Sequence, residues 1–389
     1  MTKSNDAVST APLSWVEVDL GAIVHNFRLV KSLVSPSTRV FAVVKADAYG
    51  HGAVPVAKAL VKAGADRLCV ARVEEALELR AAGVASPIQV FAPPLDGQAE
   101  SLVRAGCIAV VCAREHVEAL AGRARALRQQ VAIHVKVDVG MGRLGIAPTD
   151  TLEFLRMLMR YPELQVEGIM SHLPCADTPP ADITKQHIAT FDQVRAEVLA
   201  SGFNVPMFHL ANSAATMDFP EAHFDAVRPG IILYGQYPSA DVQRRLPLRP
   251  AMTLKSRIVY LKDVPPGQGL SYGHTYITKQ PSRIATIPLG YADGYPRHAS
   301  NRTVMHVRGV PARVVGRVCM DLTLLDVTHI PETQLGDEVV AFGKGAQSFL
   351  PVEIVANAIG TIGYELTTRI GKRLPRYYVD EASPALNRP

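Results

Sequence analysis

Lys45 closes the apolar run Val40-Phe41-Ala42-Val43-Val44 and is followed at once by Ala46-Asp47-Ala48-Tyr49-Gly50-His51-Gly52. A lysine that ends a buried strand and opens a glycine-bounded loop sits where its amine can be desolvated, lose its proton and attack a carbonyl. That placement suggests a Schiff-base lysine. A solitary strand-end lysine ordinarily snorkels into water, so the reading depends on what else shares the site.

The residues that must position Lys45 repeat in a regular order between Gly21 and Gly235. Apolar, β-branched runs at 40–44, 67–71, 88–92, 108–112, 131–137, 166–172, 207–210 and 227–234 alternate with amphipathic helical stretches. Eight such alternations predict a (β/α)8 barrel over residues 14–248, with a doubly wound open sheet as the competing fold. After Arg249-Pro250 the period falls to two, with strands predicted at 253–261, 283–289, 303–307, 312–315, 322–327 and 338–342. A mainly-β domain is expected there, over 249–385. The strand predicted at 15–19 is free to pair with either domain.

In a parallel barrel, reactive groups gather at the C-terminal ends of the strands. Lys45 follows the first predicted strand, Lys136, Asp138 and Arg143 lie at or just after the fifth, and His172 ends the sixth. His209, Asn212 and Ser213 lie at or just after the end of the seventh, while Arg228, Pro229 and Gly230 interrupt the eighth. Ser213 begins a helix whose free backbone N–H groups favour an anion. With Gly230 and Ile231 on the next strand, loops seven and eight could grip a phosphate, so a phosphorylated cofactor fits.

Composition excludes several other classes. Of the 389 residues 48% are hydrophobic and 20% charged, and the net charge of +5 comes from 41 basic and 36 acidic residues without runs. No basic stripe marks a nucleic-acid face, whereas an anionic small molecule remains plausible. Cys69, Cys107, Cys112, Cys175 and Cys319 are scattered and never spaced Cys-x-x-Cys, which indicates neither a disulfide framework nor a metal site. The first 13 residues lack the apolar core of a signal peptide, and no stretch approaches a membrane span, so a soluble cytoplasmic protein is expected.

AVVKADAYGHG (42–52), HVKVDVGMGRLG (134–145), HLANSAAT (209–216), VRPGIILYG (227–235), LSYGHTY (270–276), GYADGYPR (290–297), GRVCMD (316–321) and Gly363-Tyr364-Glu365 together resemble the alanine racemase family, in its order and over nearly the whole chain. The resemblance implies a pyridoxal 5'-phosphate barrel of fold type III, a β domain, and a head-to-tail homodimer with shared active sites. It makes Lys45 the cofactor's partner and the base toward the D-enantiomer, and Tyr272, from the partner subunit, the acid/base toward the L-enantiomer. Racemisation needs one group on each side of a planar carbanion, and the cofactor supplies the electron sink. Tyrosine is a weak acid with a pKa of about 10, so a tyrosine base needs a partner, and His172 resembles it.

Arg228 matches the residue facing the pyridine nitrogen, itself contacted by His209. An arginine keeps its proton, leaves the ring nitrogen unprotonated and weakens the sink, which disfavours transamination. Tyr49, Ser213, Gly230, Ile231 and Tyr364 match phosphate-binding positions, Arg143 and the Met320 backbone match carboxylate contacts, and Tyr291 matches a residue narrowing the entrance. Lys136 matches a lysine often carbamylated in the family. Asp47 stands where many members carry Asn, a change read as neutral.

Three rivals remain. A broad-specificity serine or lysine racemase shares the fold but usually carries an export signal. A decarboxylase of this class would place an acid where Arg228 stands. A non-catalytic pyridoxal-phosphate carrier would lack residues 250–380 and Tyr272.

Overall fold

The computed structural model describes Ala11–Val379. Most of the first 13 residues and the expected domain end at 385 therefore lie outside the described residues. The chain divides into two compact units, one running Ala22–Pro250 and the other joining the segment up to Gly21 with Ala251 onward.

The first strand, β1 (Ser14–Asp19), belongs to the second unit. The barrel that follows consists of β2 (Arg39–Val43), β3 (Arg67–Val70), β4 (Ile88–Val90), β5 (Ile108–Val111), β6 (Val131–Lys136), β7 (Leu164–Met170), β8 (Phe208–His209) and β9 (Ala226–Val227). All neighbours are parallel, and β9 returns to β2 through Arg39↔Ala226 and Val40↔Val227, closing the ring. The strands β3, β4 and β5 are buried along their whole length, as expected where helices cover one face and the barrel interior fills the other. The helix Arg114–Leu127 buries Val117, Leu120, Ala121 and Ala124, a single stripe at helical spacing.

Residues 227–234, expected as one strand, form only the two-residue β9 before the chain leaves the sheet. Pro229 has no N–H for a ladder, and Ile231–Tyr234 coil into a 3₁₀ turn.

The second unit contains β10 (Met252–Arg257), β11 (Tyr260–Val264), β12 (Gly269–Leu270), β13 (Tyr276–Ile277), β14 (Ser282–Ile287), β15 (Val304–Val307), β16 (Val310–Val314), β17 (Thr323–Asp326), β18 (Glu338–Lys344), β19 (Phe349–Leu350) and β20 (Arg376–Val379). One sheet runs β11-β14-β17-β16-β15-β18-β10-β1-β20, with β19 beside β18 and the hairpin β12-β13 apart. β1 is antiparallel to β10 and parallel to β20. It buries Trp15, Val16 and Val18, which is why the barrel unit begins at Ala22 rather than at residue 14. The run 253–261 is two strands, because after Arg257 the chain exchanges its partners: Val259 donates to Thr286 O (2.9 Å) beside β14.

Within the barrel unit, Asn26 of the helix Leu20–Leu33 replaces backbone partners where the 3₁₀ turn meets the chain's exit. Its amide donates to Leu233 O (3.1 Å) and Arg249 O (2.8 Å), and its oxygen accepts from Arg249 N (2.8 Å). Asn26 is fully buried. Truncation to Ala leaves those groups unpaired out of water, so Asn26→Ala is expected to lower stability by about 3 kcal/mol, read by urea unfolding.

Candidate active site

Lys45 lies directly beyond β2, and the turn after it is left-handed. Ala46, Asp47, Ala48 and Tyr49 have φ of 54°, 53°, 52° and 55°, a conformation that costs about 1–2 kcal/mol per L-residue. Two acidic side chains offset that cost. Glu75 accepts from Ala46 N (2.6 Å) through one oxygen and from Ala71 N (2.7 Å) and Arg72 N (3.0 Å) through the other. Asp47 accepts from Ala53 N (2.6 Å) and so caps the helix Ala53–Lys62. An asparagine oxygen could accept the same bond.

Burial first, and then the positive charge of Arg143, lower the Lys45 pKa, while Glu75 opposes them. Lys136, at the end of β6, is pushed down to about 8 by burial and by Arg228 and Arg143. His172 is held well below the ordinary histidine range by burial and then by Arg228, Lys136, Arg143 and Lys45. These shifts place the four cations and His172 in one electrostatic neighbourhood. Arg143 follows a loop folded around Asp138, whose carboxylate accepts from Gly140 N (2.9 Å), Met141 N (2.7 Å) and Gly142 N (2.8 Å).

Arg228 is buried, and burial lowers it to about 10, so it stays cationic at neutral pH. Its guanidinium donates to His209 Nδ1 (2.5 Å), to Leu210 O (2.9 Å) and to Ser171 O. Asn212 caps the turn Ser213–Asp218 through Ala215 N (3.0 Å) and donates to Leu173 O (3.2 Å). Gly230 N donates to Ser213 Oγ (2.8 Å), which leaves the serine hydroxyl hydrogen free to donate. A Cβ on Gly230 would lie 2.4 Å from Tyr49 Oη, so the glycine is what makes room for that phenol. Hydroxyl and amide donors beside a buried arginine are suited to a phosphate and an aromatic base.

The remaining sequence-predicted residues belong to the sheet unit. Tyr272 is 70% exposed, Met320 54% and Tyr291 40%. Their loops are tied together: Ser271 Oγ donates to Arg317 O (2.6 Å), Tyr291 N to Cys319 O (3.1 Å) and Ala292 N to Met320 O (2.9 Å). Tyr364 lies on the helix Gly363–Arg369.

The N-terminal alanine racemase family model matches residues 18–238 and the C-terminal one residues 251–378. The alanine racemase of Halothermothrix orenii is 43% identical over 365 residues, covering 94% of this chain and 96% of that protein. That of Desulforamulus reducens is 45% identical over 367 residues, covering 94% and 98%. The chain belongs to the alanine racemase family. Its activity is accordingly that of an isomerase acting on alanine. Among solved structures, the alanine racemase of Clostridium difficile 630 superposes with a TM-score of 0.92 at 36% identity, covering 97% of each chain. The Bacillus anthracis alanine racemase, solved with bound L-Ala-P, gives 0.90 at 36% identity and 97% of each chain. The barrel and mainly-β sheet are thus those of the family.

Sequence reasoning missed Glu75, because an acid in the first turn of an ordinary helix reads as dipole complementarity. It also missed Arg67, His134 and Glu167, polar positions inside predicted strands. The expected outcome for Glu75→Ala is a loosened turn: trapping of Lys45 by a small aldehyde and borohydride, located by peptide mass mapping, should slow about tenfold or more. Stability should fall by only about 1–3 kcal/mol.

Proposed function

We propose that the chain interconverts L- and D-alanine using pyridoxal 5'-phosphate, with Lys45 and Tyr272 of the partner subunit as the two proton-transferring groups. The observation that carries this reading is Lys45: a desolvated amine with a lowered pKa, directly beyond β2, whose neighbour β9 leads into the buried Arg228 and, through Gly230, to the Ser213 hydroxyl. Bound there, the cofactor would supply an electrophilic carbonyl for Lys45 and a sink for the electrons of the substrate's Cα–H bond. Tyr49, Ser213, Gly230, Ile231 and Tyr364 would hold its phosphate, and Arg228, aimed by His209, would face its ring nitrogen.

Neutral Lys45 can take or return the substrate's α-proton on one face. Tyr272, on an exposed loop, suits donation to a second copy, and this supports a homodimer with shared sites. His172, held neutral at pH 7 by burial and the surrounding cations, can accept a hydrogen bond from that phenol and ease its deprotonation. Arg143 and the Met320 backbone would take the substrate carboxylate, and Tyr291 would narrow the approach to small side chains. A cytoplasmic role supplying D-alanine for peptidoglycan is consistent with this chemistry, and no described helix is long and apolar enough to cross a membrane.

Lys136 supports a further feature of this reading. Held down to about 8, it has an accessible neutral form that can add to CO₂, forming a C–N bond and releasing a proton. The product is an anion able to pair with Arg143, where an ammonium would repel it. In protein equilibrated with ¹³CO₂, a carbamate carbonyl resonance is expected by NMR and should be missing from Lys136→Arg. Its absence from the unsubstituted protein would remove the modification.

The assignment of bases is tested by proton NMR in D₂O. L-Alanine should lose its α-proton and yield D-alanine by chiral assay, while L-serine and L-lysine should be left largely unchanged. Tyr272→Phe should keep cofactor absorbance yet slow exchange from L-alanine by about 100-fold or more, the scale of a lost general base. Native-rate exchange by that variant would refute the role of Tyr272, and exchange favouring serine or lysine would point to a broad-specificity racemase.

A further inference from the structure

A line of buried polar groups extends from Arg228 across the barrel interior. Arg228 Nη1 contacts His209 Nδ1 at 2.5 Å, His209 Nε2 contacts His134 Nδ1 at 2.7 Å, and His134 Nε2 contacts Arg67 Nη1 at 3.0 Å. Both imidazoles are fully buried, and Arg67 and Arg228 nearly so. Burial first holds both histidines below their usual range, His134 at about 4, so each is neutral near pH 7 and has one N–H and one lone pair.

Counting protons along this line exposes a conflict. Both ends are arginines, which only donate. If both donate into the line, the two histidine N–H groups face each other at the central contact. If the rings are turned the same way instead, one arginine faces an N–H. One of the three contacts must therefore hold a surplus proton, and only an extra acceptor can take it. The contacts to Arg228 and between the two rings are short, 2.5 Å and 2.7 Å, whereas the contact to Arg67 is the longest.

Glu167 stands at that longest contact. Its Oε1 accepts from Arg67 Nη2 at 2.5 Å, and its Oε2 lies 3.5 Å from His134 Nε2. That second oxygen is shielded from solvent and has no other partner among the described residues. A backbone irregularity puts it there: Ile133 pairs with Val166 but His134 with Gly168, so Glu167 is the extra residue of a bulge in β7. A side chain on Gly168 would come within 2.6 Å of His134 Cε1, so the glycine makes room for the ring. Burial works against ionisation of Glu167, yet its contacts with His134 and Arg67 outweigh it and hold the carboxyl at about 2.

We infer that Glu167 is a positioning residue for Arg228: by accepting the His134 Nε2 proton it fixes both histidines as Nε2–H tautomers and keeps His209 Nδ1 a lone pair. The guanidinium is then aimed by a bond that cannot reverse. Replacing Glu167 by Gln tests this with little change of shape. An amide nitrogen in place of Oε2 makes His134 Nε2 an acceptor and drives an N–H toward Arg228. The flipped amide instead sets two donors together at Arg67.

The tautomers are read by long-range ¹H–¹⁵N correlation of the imidazoles in full-length, cofactor-loaded protein without substrate. Unprotonated Nδ1 on both His134 and His209 is expected, with at least one ring changing state in Glu167→Gln wherever the amide nitrogen faces His134 Nε2. The consequence for catalysis rests on the function proposed above: kcat should fall about tenfold or more, the scale of an outer hydrogen-bond partner, with KM for alanine changed less than about twofold. A protonated Nδ1 on either ring of the native protein would overturn the inference, as would unchanged tautomers together with unchanged kcat and KM in Glu167→Gln. Should that variant fail to fold, the native spectrum decides alone. Lack of racemisation by native protein would count against the proposed function and leave the proton arrangement to the spectrum.

Discussion

Gathering several positive charges at one end of the barrel, with Arg228 and Lys136 buried, Lys45 half-buried and Arg143 exposed, is the constraint from which the rest of the barrel site follows. Lys45, Lys136, Arg143 and Arg228 act on one another or on His172, and each resolved shift among the site's cations and histidines runs toward the neutral form. Desolvation is the largest cause in every case, and the neighbouring cations add to it. The nearest acids do little to relieve this. Glu75 and Asp138 have both oxygens committed to backbone amides, so they act as clamps on loops. A site so arranged gains from taking up negative charge, which a phosphate, a carboxylate and a carbamate would each supply.

Charges held this way need a backbone that does not yield. The turn after Lys45 is left-handed over four residues, the bulge in β7 inserts Glu167, and Gly230 admits the Tyr49 phenol. All three depart from regular geometry, and side chains outside the reacting group hold each in place. Strain at functional positions persists only where its surroundings over-determine it. The hydrogen bonds of Glu75 and Asp47 do that for Lys45, and the Arg67 and His134 contacts do it for Glu167.

The barrel was legible because its signal is periodic: apolar β-branched runs separated by amphipathic helices leave few alternatives. Where local chemistry broke the period, the sequence misled. Val227 to Tyr234 reads as one apolar strand, yet Pro229 cannot donate and the segment coils. Lys45 could be singled out by its position at a strand end, and the proposed phosphate cradle by Ser213 and Gly230. Tyr272 was legible only through family resemblance, since an exposed loop tyrosine carries no local sign of chemistry. His134 and Glu167 were invisible for another reason. Their meaning lies in which nitrogen or oxygen faces which donor, and that depends on register between strands distant in sequence.

The insertion of β1 between β10 and β20 makes the barrel, in sequence, an interruption of the sheet. Residues that precede the barrel must find partners that follow it, with Ser14 opposite Ser256 and Val16 beside Arg376. During synthesis β1 therefore waits for β10 and β20, while the barrel between them can form from contacts nearer in sequence. The molecule also carries its own indicator of that late event. Its one tryptophan, Trp15, sits in β1, 2% exposed and with the Arg257 guanidinium 5.1 Å from its ring centre. Its emission reports when this strand is seated, and no other tryptophan in the chain obscures it.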